Sequence, residues 1–321
     1  MIESYRIDTH QHIVPDAYRE ALKGIGVTGS GERAWPDWSV ESTLEVMDRT
    51  GVEAAITSIA SPGTYFGDIE FTKRLVRECN DASARLVRDR PRRFGGFALV
   101  PLPDVHAAVR EVEYALDTLR LDGICLLTHV GNRYLGHADY AELYAELDRR
   151  QAVVFVHPVR APCEGMPEYS FPAGFTELVF DTTRAIANLL YTGTLNRYPR
   201  IRFIMAHGGG ATPFLLFRLS LMDKMPQVRE RLPDGVVAHV KRLYYDVAQA
   251  AAPATLRALL DVAEASHILF GSDYPFAVPD AEKVLRDTID GISKFDGFDP
   301  ALRRKVEREN ALALFPRLAV S

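Results

Sequence analysis

Tyr5-Arg6-Ile7-Asp8-Thr9-His10-Gln11-His12 is the stretch on which the fold turns. It opens as a short strand-like run over 5–9 and closes on two histidines with one residue between them. Side chains alternate faces along a strand, so His10 and His12 point the same way. Two imidazoles on one face, at the C-terminal end of a strand, are a natural pair of ligands for a borderline metal such as zinc. Alone, H-x-H is a weak signal. It gains weight because the pattern recurs in Val153-Val154-Phe155-Val156-His157-Pro158, Ile204-Met205-Ala206-His207-Gly208-Gly209-Gly210 and Ile268-Leu269-Phe270-Gly271-Ser272-Asp273-Tyr274-Pro275. Each is an apolar run that ends in a ligand-type residue followed by turn chemistry.

Working outward, strand-like runs fall at 5–9, 53–60, 94–100, 122–128, 153–157, 201–206, 243–247 and 267–272. Helix-period segments separate or follow them at 39–50, 69–90, 105–119, 138–150, 183–198, 253–263, 279–294 and 300–315. Eight strands with intervening helices predict an α/β fold, a parallel sheet closed into a (β/α)8 TIM barrel. No composition shift, repeat or low-complexity segment divides the chain, so one domain is expected over 1–321. The connections 15–38 and 158–181 are long and rich in Gly, Pro and aromatic residues. Loops of that kind at one end of a barrel are expected to build the substrate pocket.

The bulk numbers narrow the class. Apolar residues make up 47% of the 321 positions, enough for a large core. A net charge of -5 and a pI near 6.0 carry no basic bias, so nucleic acid and anionic membranes are not expected partners. Three widely spaced cysteines, Cys79, Cys125 and Cys163, suggest a reducing compartment and no disulfide framework. There is no signal-peptide apolar region and no run of membrane-spanning length, so a soluble cytoplasmic protein is expected.

In barrels of this kind the working residues sit at the C-terminal ends of the strands. His10 and His12 end the first strand, His157 the fifth, His207 the sixth and Asp273 the eighth. Three histidines and one carboxylate leave a coordination position open, as catalytic rather than structural zinc sites do. His207 reads either as a further ligand or as a neighbouring acid/base. Gly208, Gly209 and Gly210 permit close backbone approach in a tight strand-to-helix turn. His129, at the end of strand four, could reach the pocket or serve a supporting role.

Two motifs are set aside. Gly24, Gly26 and Gly29 form G-x-G-x-x-G but follow a helical pattern over 16–23, not a strand. His207-Gly208-Gly209-Gly210 looks like an oxyanion-hole run, yet no G-x-S-x-G nucleophile turn accompanies it. A non-catalytic, zinc-stabilised binding protein is the reading from another class; the open ligand set and long loops argue against it.

The set D-T-H-Q-H, F-V-H-P, A-H-G-G-G and G-S-D-Y-P-F resembles the amidohydrolase-related group of metal-dependent barrels. Together with V-M-D-R-T-G-V at 46–52, P-R-R-F at 91–94, L-T-H-V at 127–130 and Y-P-R at 198–200, it is most similar to the branch of aminocarboxymuconate-semialdehyde and aromatic acid decarboxylases. That resemblance implies a distorted barrel of eight strands and eight helices, with His10, His12, His157 and Asp273 as metal ligands. It implies His207 as the acid/base histidine, one zinc or sometimes manganese ion, and a homodimer or homotetramer. No lysine ends strand four, so a mononuclear site follows. A substrate-carboxylate arginine matches Arg33, with Arg160 as the alternative clamp. The implied reaction is non-oxidative decarboxylation of a small aromatic or enoic acid such as a hydroxybenzoate, protonated by Asp273 or His207. Hydrolysis of a lactone or amide at the same centre is the alternative. Trp35, Trp38, Tyr65, Phe66, Phe171 and Phe175 could stack on a planar substrate or pack at the rim.

Overall fold

A computed structural model describes residues 5–30, 33–160, 170–277 and 279–319. Its central sheet holds eight parallel strands in chain order: β1 (Arg6–His12), β2 (Val52–Ser58), β3 (Phe94–Ala98), β4 (Gly123–Leu127), β5 (Val153–His157), β6 (Arg202–Met205), β7 (Tyr244–Asp246) and β8 (Ile268–Leu269). Their continuous apolar character follows from burial on both faces, by the barrel interior on one side and by helices on the other. In β5 every residue from Val153 to His157 is buried. The registers pair Leu127 with His157, and Met205 with Val156. Ring stacking of Phe97 on Phe155, with centroids 5.3 Å apart, fills the interior.

The sheet closes between the ends of the chain. Thr9 N–H donates to the Phe270 carbonyl at 2.9 Å, Asp273 N–H to the His10 carbonyl at 2.8 Å, and His12 N–H to the Tyr274 carbonyl at 2.8 Å. The eighth strand is shorter than the 267–272 run suggests, because beyond Leu269 the pairing with β1 becomes irregular.

Local rules explain most helix ends. Ser39 caps helix Val40–Thr50 with a reciprocal capping box, and Gly51 ends it at φ 72°. Asp16–Gly24 is helical, so the glycine triad does not follow a strand. The helix expected over 183–198 differs: it starts at Glu177, inside the expected loop, and ends at Tyr191. Gly193 then turns at φ 72°, where a Cβ would lie 2.7 Å from Arg231 Cβ. Between β6 and β7 run three helices that the apolar spacing did not mark: Thr212–Ser220, Pro226–Arg231 and Val236–Lys241. Phe214 and Phe217 in the first are 88% and 79% exposed, so its apolar residues do not follow its buried face.

The N-terminal end of the barrel is closed by matched polar groups. Arg6 Nε donates to Glu307 Oε1 at 2.8 Å, with Glu307 essentially inaccessible. Arg317 donates to both Asp122 oxygens and to the Phe94 carbonyl. Asn310 donates to the Ala265 and Ile268 carbonyls. Among the described residues no helix is long and apolar enough to cross a membrane. Of the loop 158–181, positions 161–169, with Pro162, Cys163 and Pro167, lie outside the described residues; so do 31 and 32 of the loop 15–38.

Candidate metal centre and active-site pocket

Four of the residues singled out at strand ends converge. One ligand atom from each of His10, His12, His157 and Asp273 lies within 4.8 Å of every other. The Nε2 atoms of His10 and His12 are 3.1 Å apart, and Asp273 Oδ1 is 2.9 Å from the second and 3.3 Å from the first. His207 stands beside them, its ring centroid 4.9 Å from that of His10. Phe155 forms the floor, 4.8 Å from the His10 ring.

Hydrogen bonds on the far side of each ring set which nitrogen carries a proton. His157 Nδ1 lies 2.8 Å from the Pro158 carbonyl, which only accepts, so the N–H is there and the lone pair is on Nε2. That Nε2 is buried and has no hydrogen-bond partner. His207 Nδ1 donates to the Ala248 carbonyl at 3.1 Å, which leaves its Nε2 lone pair outward in the same way. His10 Nδ1 donates to Asp246 Oδ2 at 2.9 Å. Ser58 Oγ is 2.9 Å from His12 Nδ1. The arrangement therefore aims imidazole lone pairs and a carboxylate oxygen at one point, where nothing in the chain can donate to all of them. Three nitrogens and one oxygen suit a divalent transition ion, with a position left for a further ligand. The donor set fits a metal.

The electrostatics agree. Burial opposes a second proton on His10, yet the Asp246 and Asp273 carboxylates push its pKa up to about 10. Burial also favours a neutral Asp273, but His10 and His12 overcome it and hold the carboxyl well below the usual range. His157 is driven well below the ordinary histidine value by burial and by the neighbouring rings. The pull of Asp246 and Asp273 on the His10 ring is the pull that a cation at this centre would feel.

Backbone strain concentrates at the same place. Among the described residues five non-glycines have positive φ, and His207 (56°), Gln249 (53°) and Asp273 (63°) are three of them. Such conformations persist where surrounding structure enforces them, often at functional sites. Gly209 and Gly210 make the expected tight turn: a Cβ on Gly209 would lie 2.6 Å from the Tyr245 ring, and one on Gly210 2.2 Å from the Val179 carbonyl.

Three supporting residues escaped the sequence reading. Asp246, at the end of β7, is fully buried and accepts from the His10 ring, from His207 N–H at 3.1 Å and from Ala248 N–H at 2.9 Å. Its signal was available, since it is a carboxylate at the C-terminal end of a strand already recognised. Gln249 Nε2 donates to Asp273 Oδ2, and Ser58 ends β2 against His12. Both are uncharged residues with no motif to mark them.

A cavity of about 620 Å³ opens over the cluster, with His12, His157, His207 and Asp273 in its wall. Both long loops contribute: Ser30 and Arg33 from one, Val159, Arg160 and Phe175 from the other. Arg33 reaches across to donate to the Phe276 carbonyl at 3.2 Å, and its guanidinium lies 5.9 Å from the Phe175 ring. Leu99, Val100, Leu126 and Leu127 give part of the wall an apolar character. Of the aromatic residues considered for stacking, Tyr65 and Phe175 line the cavity, whereas Trp35 and Trp38 pack against the core. His129 is in the wall too.

Comparison with known proteins agrees with this geometry. The amidohydrolase family model (Amidohydro_2) matches residues 7–317. The chain is 36% identical to the 6-methylsalicylic acid decarboxylase of Penicillium expansum, over 98% of this chain and 97% of that protein. A crystal structure of an amidohydrolase II superposes with a TM-score of 0.89 at 28% identity, covering 97% of this chain and 99% of that one. The manganese-bound 5-carboxyvanillate decarboxylase of Novosphingobium aromaticivorans has the same fold, with a TM-score of 0.83 at 20% identity and 97% of each chain covered.

Proposed function

This chain belongs to the amidohydrolase family, and from that premise we propose that it is a metal-dependent, non-oxidative decarboxylase of a small hydroxybenzoate-type acid. The observation that carries the reading is the convergence of the His10, His12 and His157 nitrogens with Asp273 at the foot of a cavity able to hold an aromatic ring. The similarity to a 6-methylsalicylic acid decarboxylase supports a salicylate-type substrate, and the apolar wall suits a ring bearing an alkyl group.

His10, His12, His157 and Asp273 would hold one divalent ion, zinc as first choice and manganese as the alternative. When bound, such an ion would supply Lewis-acid attraction for the anionic oxygens of the substrate. Arg33 and Arg160, from opposite loops, offer guanidinium groups to the remaining anionic charge. Decarboxylation then needs a proton at the ring carbon that bears the carboxylate. His207, with its Nδ1 proton held by the Ala248 carbonyl, turns the Nε2 lone pair toward the cavity, where it takes up a proton from solvent and hands it to the ring carbon; Asp273, with Oδ2 held by Gln249, is the second candidate for the same relay. The proton adds to that carbon, the C–C bond to the carboxylate breaks, its electron pair returns to the ring, and CO2 departs.

We place the protein in the cytoplasm, in keeping with the unpaired buried thiols of Cys79 and Cys125. We also propose a homodimer or homotetramer; the exposed Phe214 and Phe217 support an apolar contact surface for it. We also read the chain as one barrel domain with its pocket loops at 15–38 and 158–181.

The test is turnover by metal-analysed protein on ortho-hydroxybenzoates, 6-methylsalicylate included, with simple lactones in parallel and CO2 and ring opening both followed. CO2 release from a hydroxybenzoate supports the reading. Ring opening without CO2 replaces it with hydrolysis.

A further inference from the structure

His129 stands outside the cluster just described, yet both of its ring nitrogens are committed. Nδ1 lies 3.1 Å from the Gly131 carbonyl and Nε2 3.1 Å from the Arg160 carbonyl. Carbonyl oxygens only accept, and a neutral imidazole has a single N–H. A neutral ring would leave one nitrogen lone pair facing an oxygen lone pair, at a side chain only 8% exposed. Only the doubly protonated ring satisfies both contacts.

The countercharge is in place. Asp181 Oδ2 is 3.6 Å from His129 Nε2, and its carboxylate is fully buried. Asp181 also accepts from the Thr128 and Tyr134 hydroxyls. Among the described residues, the other groups that face this pair are Arg184, 3.7 Å from Asp181 Oδ1, and Glu177, which bonds Arg184 at 3.4 Å. The Tyr134 ring stands edge-on to the imidazole with centroids 5.3 Å apart. A buried carboxylate of this kind requires a nearby cation.

We propose that His129 works as an imidazolium staple that fixes the cavity wall by tying the backbone at Gly131 to the backbone at Arg160. Gly131 turns the small ribbon formed by His129–Val130 and Arg133–Tyr134. Arg160 is the last described residue before the pocket loop continues, and its side chain lines the cavity. His129 is thus a positioning residue. It acts through Arg160 on how tightly an anionic aromatic ligand is held, and not on the chemical step. This role in the reaction rests on the decarboxylase reading; the charge on the ring does not.

The experiment therefore has a part independent of turnover. Nitrogen NMR of histidine-labelled, metal-loaded wild-type protein at pH 7 should show one non-ligand histidine with both ring nitrogens protonated, a signal absent from His129→Gln. In parallel, salicylate Kd and kcat are measured at pH 7 for wild type, His129→Gln and His129→Asn. The Gln amide nitrogen overlies Nε2 and keeps the Arg160 tether; the Asn nitrogen overlies Nδ1 and keeps only Gly131. His129→Gln should hold wild-type affinity. His129→Asn should bind about fivefold more weakly, the worth of one hydrogen bond, with kcat within about twofold of wild type. A neutral His129 at pH 7, or equal affinity of the two variants, overturns the proposal. Absence of CO2 release with His129 still charged would instead remove the decarboxylase reading.

Discussion

The two ends of the barrel handle buried polar groups in opposite ways. At the N-terminal end buried charges meet their complements: Arg6 with Glu307, and the Asp122 carboxylate with the partly exposed Arg317. At the C-terminal end the His10 and His12 Nε2 atoms face each other at 3.1 Å, and His157 Nε2 has no partner. Complementary partners lower the energy of the folded chain by themselves. Groups of one kind crowded together do not, and they persist because the strands hold them in place. The first end is arranged for stability and the second for a ligand the chain does not supply.

That contrast can be broken by experiment. Chelation is expected to have the largest effect: turnover falls below detection while the far-UV circular dichroism of the barrel is retained. Unfolding on chelation would mean that the C-terminal end is as structural as the other. Next, Glu307→Ala leaves Arg6 buried and unpaired, and should lower unfolding free energy by about 3–5 kcal/mol in denaturant titrations. The folded fraction of that variant should keep its kcat/KM; a collapse in kcat/KM would join the two ends functionally. Asp246→Asn sits between these in kind, because it removes the carboxylate that orients His10. It should reduce metal affinity or activity about 10–100-fold, with little change in melting temperature. The smallest effect belongs to the barrel's flank. Ser39→Ala removes one helix cap and should lower stability by about 1 kcal/mol with no kinetic change, which calibrates what a change remote from both ends does.

Much of this was legible in the chain because both the fold and the ligands follow a strand-end rule. Val153-Val154-Phe155-Val156-His157 announces a buried strand and, at its last residue, what the strand presents. The same rule would have reached Asp246, whose strand was recognised while its terminal carboxylate was passed over. Gln249 and Ser58 were out of reach, since an amide and a hydroxyl gain meaning only from the partners that folding brings to them. The helix Thr212–Ser220 was missed for the opposite reason. Its phenylalanines face solvent, so the apolar period reports a surface and not a core. His129 shows a third kind of limit. It was expected to end strand four, but that strand stops at Leu127 and His129 opens the ribbon with Arg133–Tyr134; its charge follows from two backbone carbonyls at residues 131 and 160 that no side-chain pattern encodes.

The seam that closes the barrel has a consequence for timing. His12 and Asp273 are 261 residues apart in sequence, and the backbone bonds that join β1 to the eighth strand run through the very residues that present them. A ribosome releases both imidazoles well before the carboxylate. During synthesis the growing chain therefore carries only a partial chelate, and a tight site first exists when the final strand docks beside the first. Docking of that strand creates the tight site whether or not an ion is at hand, so a fragment cut short before residue 273 should neither bind metal tightly nor interfere with the finished protein's supply of it.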